Sequence, residues 1–392
     1  GKATNTGNLQ YIRQVFAGNK IPQSRFNPVA VNVLKYFPNP QAGVGDQITG
    51  VNNFFGADAA ELNFFNNDVA RVDHTINDRW KMYGRWMFSK REVTRPMGTN
   101  AWHMDADGAT DAFRRNDGGT LAFTGTLTPT TVLDLHASLG SYSTPCYAAI
   151  FDQSKLGFPT SLLSQIRDNN MFPQVNIANY NGSRGEFGAL KTVFLTYTFD
   201  GSVLKTIGSH TLKFGAETRL YQQSNVPGGY APRGQYSFDR GFTSASPNVT
   251  VGNTGNGVAS LLLGDMSGGS VLRPADEFRS QKYVAGYIQD TWQASPRLTL
   301  NVGFRWDMES PMSERFNRLA LLDLTTPFPV QVPGYSLLGG YKYAGVNGAS
   351  RYSYNLDKNN WQPRLGLAYK MLGSKSLVFR GGIGRSYLPQ YM

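Results

Sequence analysis

Three features predict an all-β chain of antiparallel hairpins. Several segments, within stretches of 9 to 16 residues, alternate strictly between apolar and polar side chains, which puts one face of each strand against an apolar medium and the other against water. These segments come in pairs joined by short turns, while long Gly-, Asn-, Pro- and Tyr-rich stretches join one pair to the next. No apolar run reaches the roughly 18 residues of a spanning helix, so a bilayer could be crossed only by strands. Strand length, alternation and loop asymmetry together predict a transmembrane β-barrel with short periplasmic turns and long extracellular loops.

The pairs are read in order at residues 66–74 with 80–90, 119–127 with 131–142, 191–206 with 210–222, 279–293 with 297–309, and 362–370 with 376–387. Turn chemistry links them, as in Thr128-Pro129-Thr130, Ile207-Gly208-Ser209 and Ala294-Ser295-Pro296. The clearest alternation is Leu298, Leu300, Val302, Phe304 and Trp306 against Thr299, Asn301, Gly303, Arg305 and Asp307. The same pattern sets Leu133, Leu135, Ala137 and Leu139 against Asp134, His136 and Ser138. It sets Val193, Leu195, Tyr197 and Phe199 against Thr196, Thr198 and Asp200. Residues 1–65 read as a loop-rich lead-in, and 226–257 and 310–360 as loop material, with a short helix at Val258–Leu263. Residues 66–392 read as roughly ten strands of a partial barrel.

Composition is compatible with that reading. The 392 residues are 40% hydrophobic, 13% aromatic and 17% charged, too apolar for a disordered chain. The net charge of +11 comes from scattered Lys and Arg without a basic block, which argues against a nucleic-acid partner. A single cysteine, Cys146, excludes an internal disulfide. The opening Gly1-Lys2-Ala3-Thr4 shows no basic n-region and no apolar h-region, so any signal peptide lies upstream or never existed.

Aromatic residues at or near strand ends, Trp80, Trp86, Phe88, Tyr287, Trp292, Trp306 and Tyr369, are expected at the bilayer interfaces; cross-strand packing in a soluble sheet is the competing reading. The polar positions Lys213, Glu217, Arg219, Arg305, Asp307, Arg364 and Lys370 are expected to face the lumen. Asp105, Asp107 and Asp111 surround Gly108 in a loose echo of a calcium loop, but the distal bidentate Glu is missing and a solvated turn competes. His74, His103, His136 and His210 lack metal-ligand spacing. With no nucleophile elbow and no acid/base pair readable from spacing, neither an enzyme nor a bound cofactor is expected.

Several motifs resemble one family. Arg71-Val72-Asp73-His74-Thr75-Ile76-Asn77-Asp78-Arg79-Trp80 leads into Tyr83-Gly84-Arg85-Trp86. Gly208-Ser209-His210-Thr211-Leu212-Lys213-Phe214-Gly215 follows, then Tyr287-Ile288-Gln289-Asp290-Thr291-Trp292 and Pro296-Arg297-Leu298. Asn27-Pro28-Val29-Ala30 with Tyr36-Phe37-Pro38, Ala259-Ser260-Leu261-Leu262-Leu263-Gly264 and Pro363-Arg364-Leu365-Gly366-Leu367 complete the series. In their order along the chain they resemble the Oar-like TonB-dependent outer-membrane receptors, whose members carry a carboxypeptidase-regulatory-like domain. The resemblance implies a barrel of about 22 strands with a plugged lumen. It also implies a signal peptide, an Ig-like domain and a plug upstream, and further strands downstream of Leu388-Pro389-Gln390-Tyr391-Met392. It implies outer-membrane lipid and the TonB complex as partners, the latter through the missing N-terminal region, and a solute, glycan, peptide or protein as ligand. A surface adhesin or secretion-related receptor, a passive porin and a secreted sugar-binding or sugar-cleaving β-protein are the alternatives.

Overall fold

The computed structural model describes residues 2–3, 11–46, 52–54, 62–95, 110–147, 150–180, 182–183, 190–227, 231–246, 254–330, 332–371 and 377–388. Ten long strands form its main sheet: β1 (Leu62–Thr75), β2 (Trp80–Arg95), β3 (Thr110–Thr128), β4 (Thr131–Tyr147), β5 (Leu190–Ile207), β6 (His210–Val226), β7 (Glu277–Ser295), β8 (Leu298–Glu309), β9 (Asn360–Lys370) and β10 (Val378–Gly384). Each pairs antiparallel with the next in sequence, so the spatial order is the chain order. All five predicted hairpins are present. Several strands overrun their predicted ends on the loop side; β3 and β7, of 19 residues each, extend about 60 Å, well beyond an apolar band about 25 Å tall.

Local chemistry fixes the turns. Asn77 Oδ1 accepts from the backbone N–H of Arg79 at 2.9 Å and of Trp80 at 3.0 Å, closing β1 onto β2. Gly208 takes φ +54° between β5 and β6, a conformation a side chain would strain. Ser295 Oγ accepts from Arg297 and Leu298 N–H at the β7–β8 turn.

Burial across this sheet is inverted relative to a water-soluble one. The apolar positions of alternate residues are open, as at Phe199 (55% exposed) and Leu365 (52%), whereas the polar face is crowded where β7, β8 and β9 meet, with Gln362 at 2% and Tyr283 at 4%; β1 is exposed on both faces. In water such an arrangement forgoes the burial that holds sheets together, so the exposed apolar face calls for a lipid environment. A hollow on that face, about 800 Å³, lies among Trp86, Leu121, Leu139, Tyr197 and Phe199.

The apolar core lies instead in a cap built from the segments at the loop ends of the strands. Helix α1 (Pro28–Leu34) has Asn27 as its N-cap, accepting from Val29 N–H at 2.9 Å, with Pro28 in the first turn. It packs with the short α2 (Thr160–Leu163), with α3 (Gly257–Leu263, capped by Asn256) and with a three-stranded sheet of Gln174–Ile177, Gln235–Phe238 and Gly268–Ser270. Val33, Leu156, Phe172, Val175 and Leu261 form its centre, and Tyr36, Phe151 and Phe172 meet edge to face with centroids 5.0–5.5 Å apart.

Three loop assignments are corrected here. The lead-in 1–65 contains α1 and the first residues of β1, and 226–257 contains the strand Gln235–Phe238. The stretch 310–360 contains a hairpin, Ala320–Pro327 with Leu338–Tyr343. These elements are too short for periodicity to reveal, and tertiary contacts hold them. Helix α3 matches the predicted short helix.

Candidate functional site: the polar wall of the sheet

Register places all seven predicted lumen residues on one face, because each is an even number of positions from a partner on that face. Four are brought together across β6, β7 and β8. Arg305 lies at the centre: its Nη2 donates to Glu217 Oε2 at 3.2 Å and to Tyr283 Oη at 2.7 Å, and its Nε lies 3.5 Å from Asp307 Oδ2. Tyr283 Oη in turn donates to Asp307 Oδ2 at 3.0 Å, and Gln362 Nε2 on β9 donates to the same oxygen at 2.7 Å. Arg219 pairs with Glu217, donates to Tyr221 Oη at 3.1 Å and lies over the Tyr283 ring at 5.3 Å. Each carboxylate thus faces a guanidinium in a poorly solvated place, where charge-assisted bonds are strong and an unpaired charge would be costly. Lys213, Arg364 and Lys370 share the face, opposite Gln289, Gly303 and Val378, without joining this cluster.

Sequence reasoning missed Tyr283 and Gln362, which complete the cluster, and misplaced Tyr287. Tyr287 stands opposite Gly215 and Arg305, on the polar wall, with the Arg305 guanidinium 5.9 Å from its ring centroid. Parity alone could have shown this, since Tyr287 and Trp292 are five positions apart and cannot share a face. The other predicted interface aromatics, Trp80, Trp86, Phe88, Trp292, Trp306 and Tyr369, lie on the apolar face. There Trp86 stacks on Phe88, Trp306 meets Trp361 with centroids 6.1 Å apart, and Trp292 stacks on His210. His136 on the polar wall bonds Asp200 at 2.9 Å.

The arm after β8 roofs the loop end of this wall. Ser313 and Glu314 pair with Ser280 and Arg279 of β7, and Tyr354 Oη accepts from the buried Gln281 at 3.1 Å. Burial would push the Glu314 carboxyl up, but N–H groups of Arg318 (2.9 Å), Phe278 (3.1 Å) and Phe316 (2.7 Å) outweigh it and hold the pKa below the usual carboxylate range.

Asp105 and Asp107 lie outside the described residues, as does the side chain of Asp111, whose backbone pairs in β3. Among the described residues, no group of three or more His, Cys, Asp or Glu side chains could hold a metal ion.

The chain is similar in structure to the siderophore receptor PiuA from Acinetobacter baumannii, at 11% identity over 81% of this chain and 42% of that one, with a TM-score of 0.39. It is similar also to the copper transporter OprC, at 10% identity over 84% and 38%, TM-score 0.44. A third is the ferric-catecholate import receptor Fiu from E. coli K12 in its open form, at 11% identity over 86% and 49%, TM-score 0.41. The chain spans less than half the length of each. No curated protein matches its sequence. The family model described as outer membrane beta barrel domain matches residues 2–392. With that match and a sheet whose apolar face is the open one, the chain belongs to the outer membrane β-barrel domain family and is a protein of the bacterial outer membrane.

Proposed function

We propose that the chain is the barrel portion of an Oar-like TonB-dependent receptor that binds a scarce solute outside the cell and imports it. The observation that carries this reading is the inverted sheet, apolar where it is open and, around Arg305 and Asp307, charged where it is crowded. Such a wall suits a hydrated, plugged lumen, where mixed charges can bind water and the polar surface of a plug. The order of motifs along the chain, resembling that receptor family, supports the TonB coupling, which would act through a segment upstream of the barrel. The tryptophans of the apolar face are assigned to the two bilayer interfaces: Trp80 and Trp86 are six residues apart, about 20 Å along the strand. Ligand contacts are assigned to the cap and the long loops.

The test uses the natural full-length protein in its own cells. Growth on limiting nutrients and uptake of labelled solutes are compared between the wild type, a deletion of this gene and a strain lacking TonB. Uptake lost equally in both mutants supports import. Uptake that needs the barrel but not TonB would point to a passive pore and overturn the proposal. The folded cap favours a second reading, a surface adhesin, which predicts binding of cells or matrix with no uptake defect.

A further inference from the structure

The polar wall carries balanced charge around Arg219 in mid-sheet and unbalanced positive charge on β1–β3. One ladder row runs from Arg219 through Thr198, Ser138 and Thr120 to Arg85 and Arg71, each opposite the next, so all six share one face. Around Arg219 the guanidinium groups meet carboxylates. On β1–β3 the same face presents Arg71, Lys81, Arg85, Arg91 and Arg114 against one carboxylate among the described residues, Asp73. Arg71 occupies both Asp73 oxygens, at 2.8 and 2.7 Å.

Two like-charge pairs stand directly opposite one another here, Arg71 with Arg85 and Arg91 with Arg114. Such pairs cost stability in a sheet, and an anion bound between the opposed guanidinium groups would offset that cost. Arg91 Nε donates to the neutral Asn63 at 3.1 Å. Lys81, Arg85 and Arg114 have no ion-pair or hydrogen-bond partner among the described residues. Along β2 the cations fall at 81, 85 and 91, steps of about 13 and 20 Å, and so extend from the turn end toward the loop end. Beside Arg85, Thr120 and Ser138 hydroxyls, 3.1 Å apart, add neutral hydrogen-bonding groups.

We infer that the β1–β3 wall is a track for a small solute carrying two or more oxyanion groups, carboxylate or phosphate, gripped by opposed arginines. The guanidinium fork matches either group with two parallel hydrogen bonds. The inference rests on the import reading and narrows it to anionic cargo.

The test is calorimetric titration of the purified full-length protein in neutral detergent at low salt, with tripolyphosphate, citrate and uncharged maltotriose as probes. Binding of one or both anions, weakening as salt rises, with none of maltotriose, is expected. The double variant Arg85→Gln/Arg114→Gln should lose at least tenfold in anion affinity, and Arg85→Lys/Arg114→Lys should lose less. Without anion the Gln variant should unfold at a higher temperature than wild type; tripolyphosphate should raise the unfolding temperature of the wild type only. Unchanged anion affinity in the Gln variant, or equal binding of maltotriose, would overturn the inference. So would a Gln variant that unfolds at lower temperature with anion binding intact, which would mark the arginines as a dock for an acidic segment of the protein itself. Anion binding by purified protein does not involve TonB, so the two readings fail separately. TonB-independent uptake with anion binding intact sinks only import, and lost anion binding with TonB-dependent uptake sinks only the track.

Discussion

Asp307 receives hydrogen bonds from Tyr283 on β7 and Gln362 on β9, with Arg305 of its own strand 3.5 Å away. Asp307→Asn keeps the shape but removes the charge opposite Arg305 and puts an amide where two donors converge. The variant should lose about 1–3 kcal/mol of stability, measured by urea unfolding of the full-length protein in detergent micelles. An equal stability would show that Glu217 alone balances the arginines. At this scale the charged members of the wall were legible, because alternation in β6 and β8 assigns every Lys, Arg, Asp and Glu to a face. Tyr283 and Gln362 were not, since an aromatic or an amide suits either face and only cross-strand register brings them to Asp307. Tyr287 was misassigned because its composition suggested an interface, while its parity with Trp292 places it on the other face.

Among elements, the arm after β8 depends on one side chain. Glu314 holds three N–H groups, and its carboxyl is held below 4.5, its ordinary value. A carboxyl with a folded pKa below its unfolded one contributes fully above the ordinary value and loses that contribution as pH falls through the folded value. Hydrogen-exchange protection of the Phe316 and Arg318 amides, corrected for intrinsic rate, should therefore be steady above about pH 5 and fall in more acid solution. Glu314→Gln should lower it already at neutral pH, and an arm equally protected in both proteins would remove Glu314 from this role. Apart from helix α3, neither the arm nor the cap could be read beforehand. Strands such as Gln174–Ile177 and Gln235–Phe238 are four residues long and pair in parallel from two different loops, which leaves no periodic trace in the sequence. The hairpins were legible because each joins neighbours through a short turn, and their ends were not, because alternation fades where strands leave the apolar band.

For the whole molecule, β1 and β10 are the outer strands of the sheet, each paired on one side among the described residues. In lipid each unpaired backbone group costs several kcal/mol, so these edges need partner strands. Expressed alone, these 392 residues should fail to insert as a stable monomeric barrel and should associate through their edges. Gel mobility with and without heating, together with protease digestion in detergent, checks this, and a heat-modifiable, protease-resistant monomer would contradict it.

The cap also constrains the order of assembly in time. Its core joins α1, which precedes β1, to segments that follow β4 and β6, so none of these pieces can bury its apolar side chains alone. If the strands insert from the periplasm, the loops must pass the bilayer as unfolded chain, and the cap can condense only after all three have arrived outside. The closure entropy of the sheet has by then been met by strand pairing, so the loop ends start close together. Cap formation then works as a one-way latch: once α1 and the parallel strand pair have docked, drawing any of these loops back would first require the shared core to unfold.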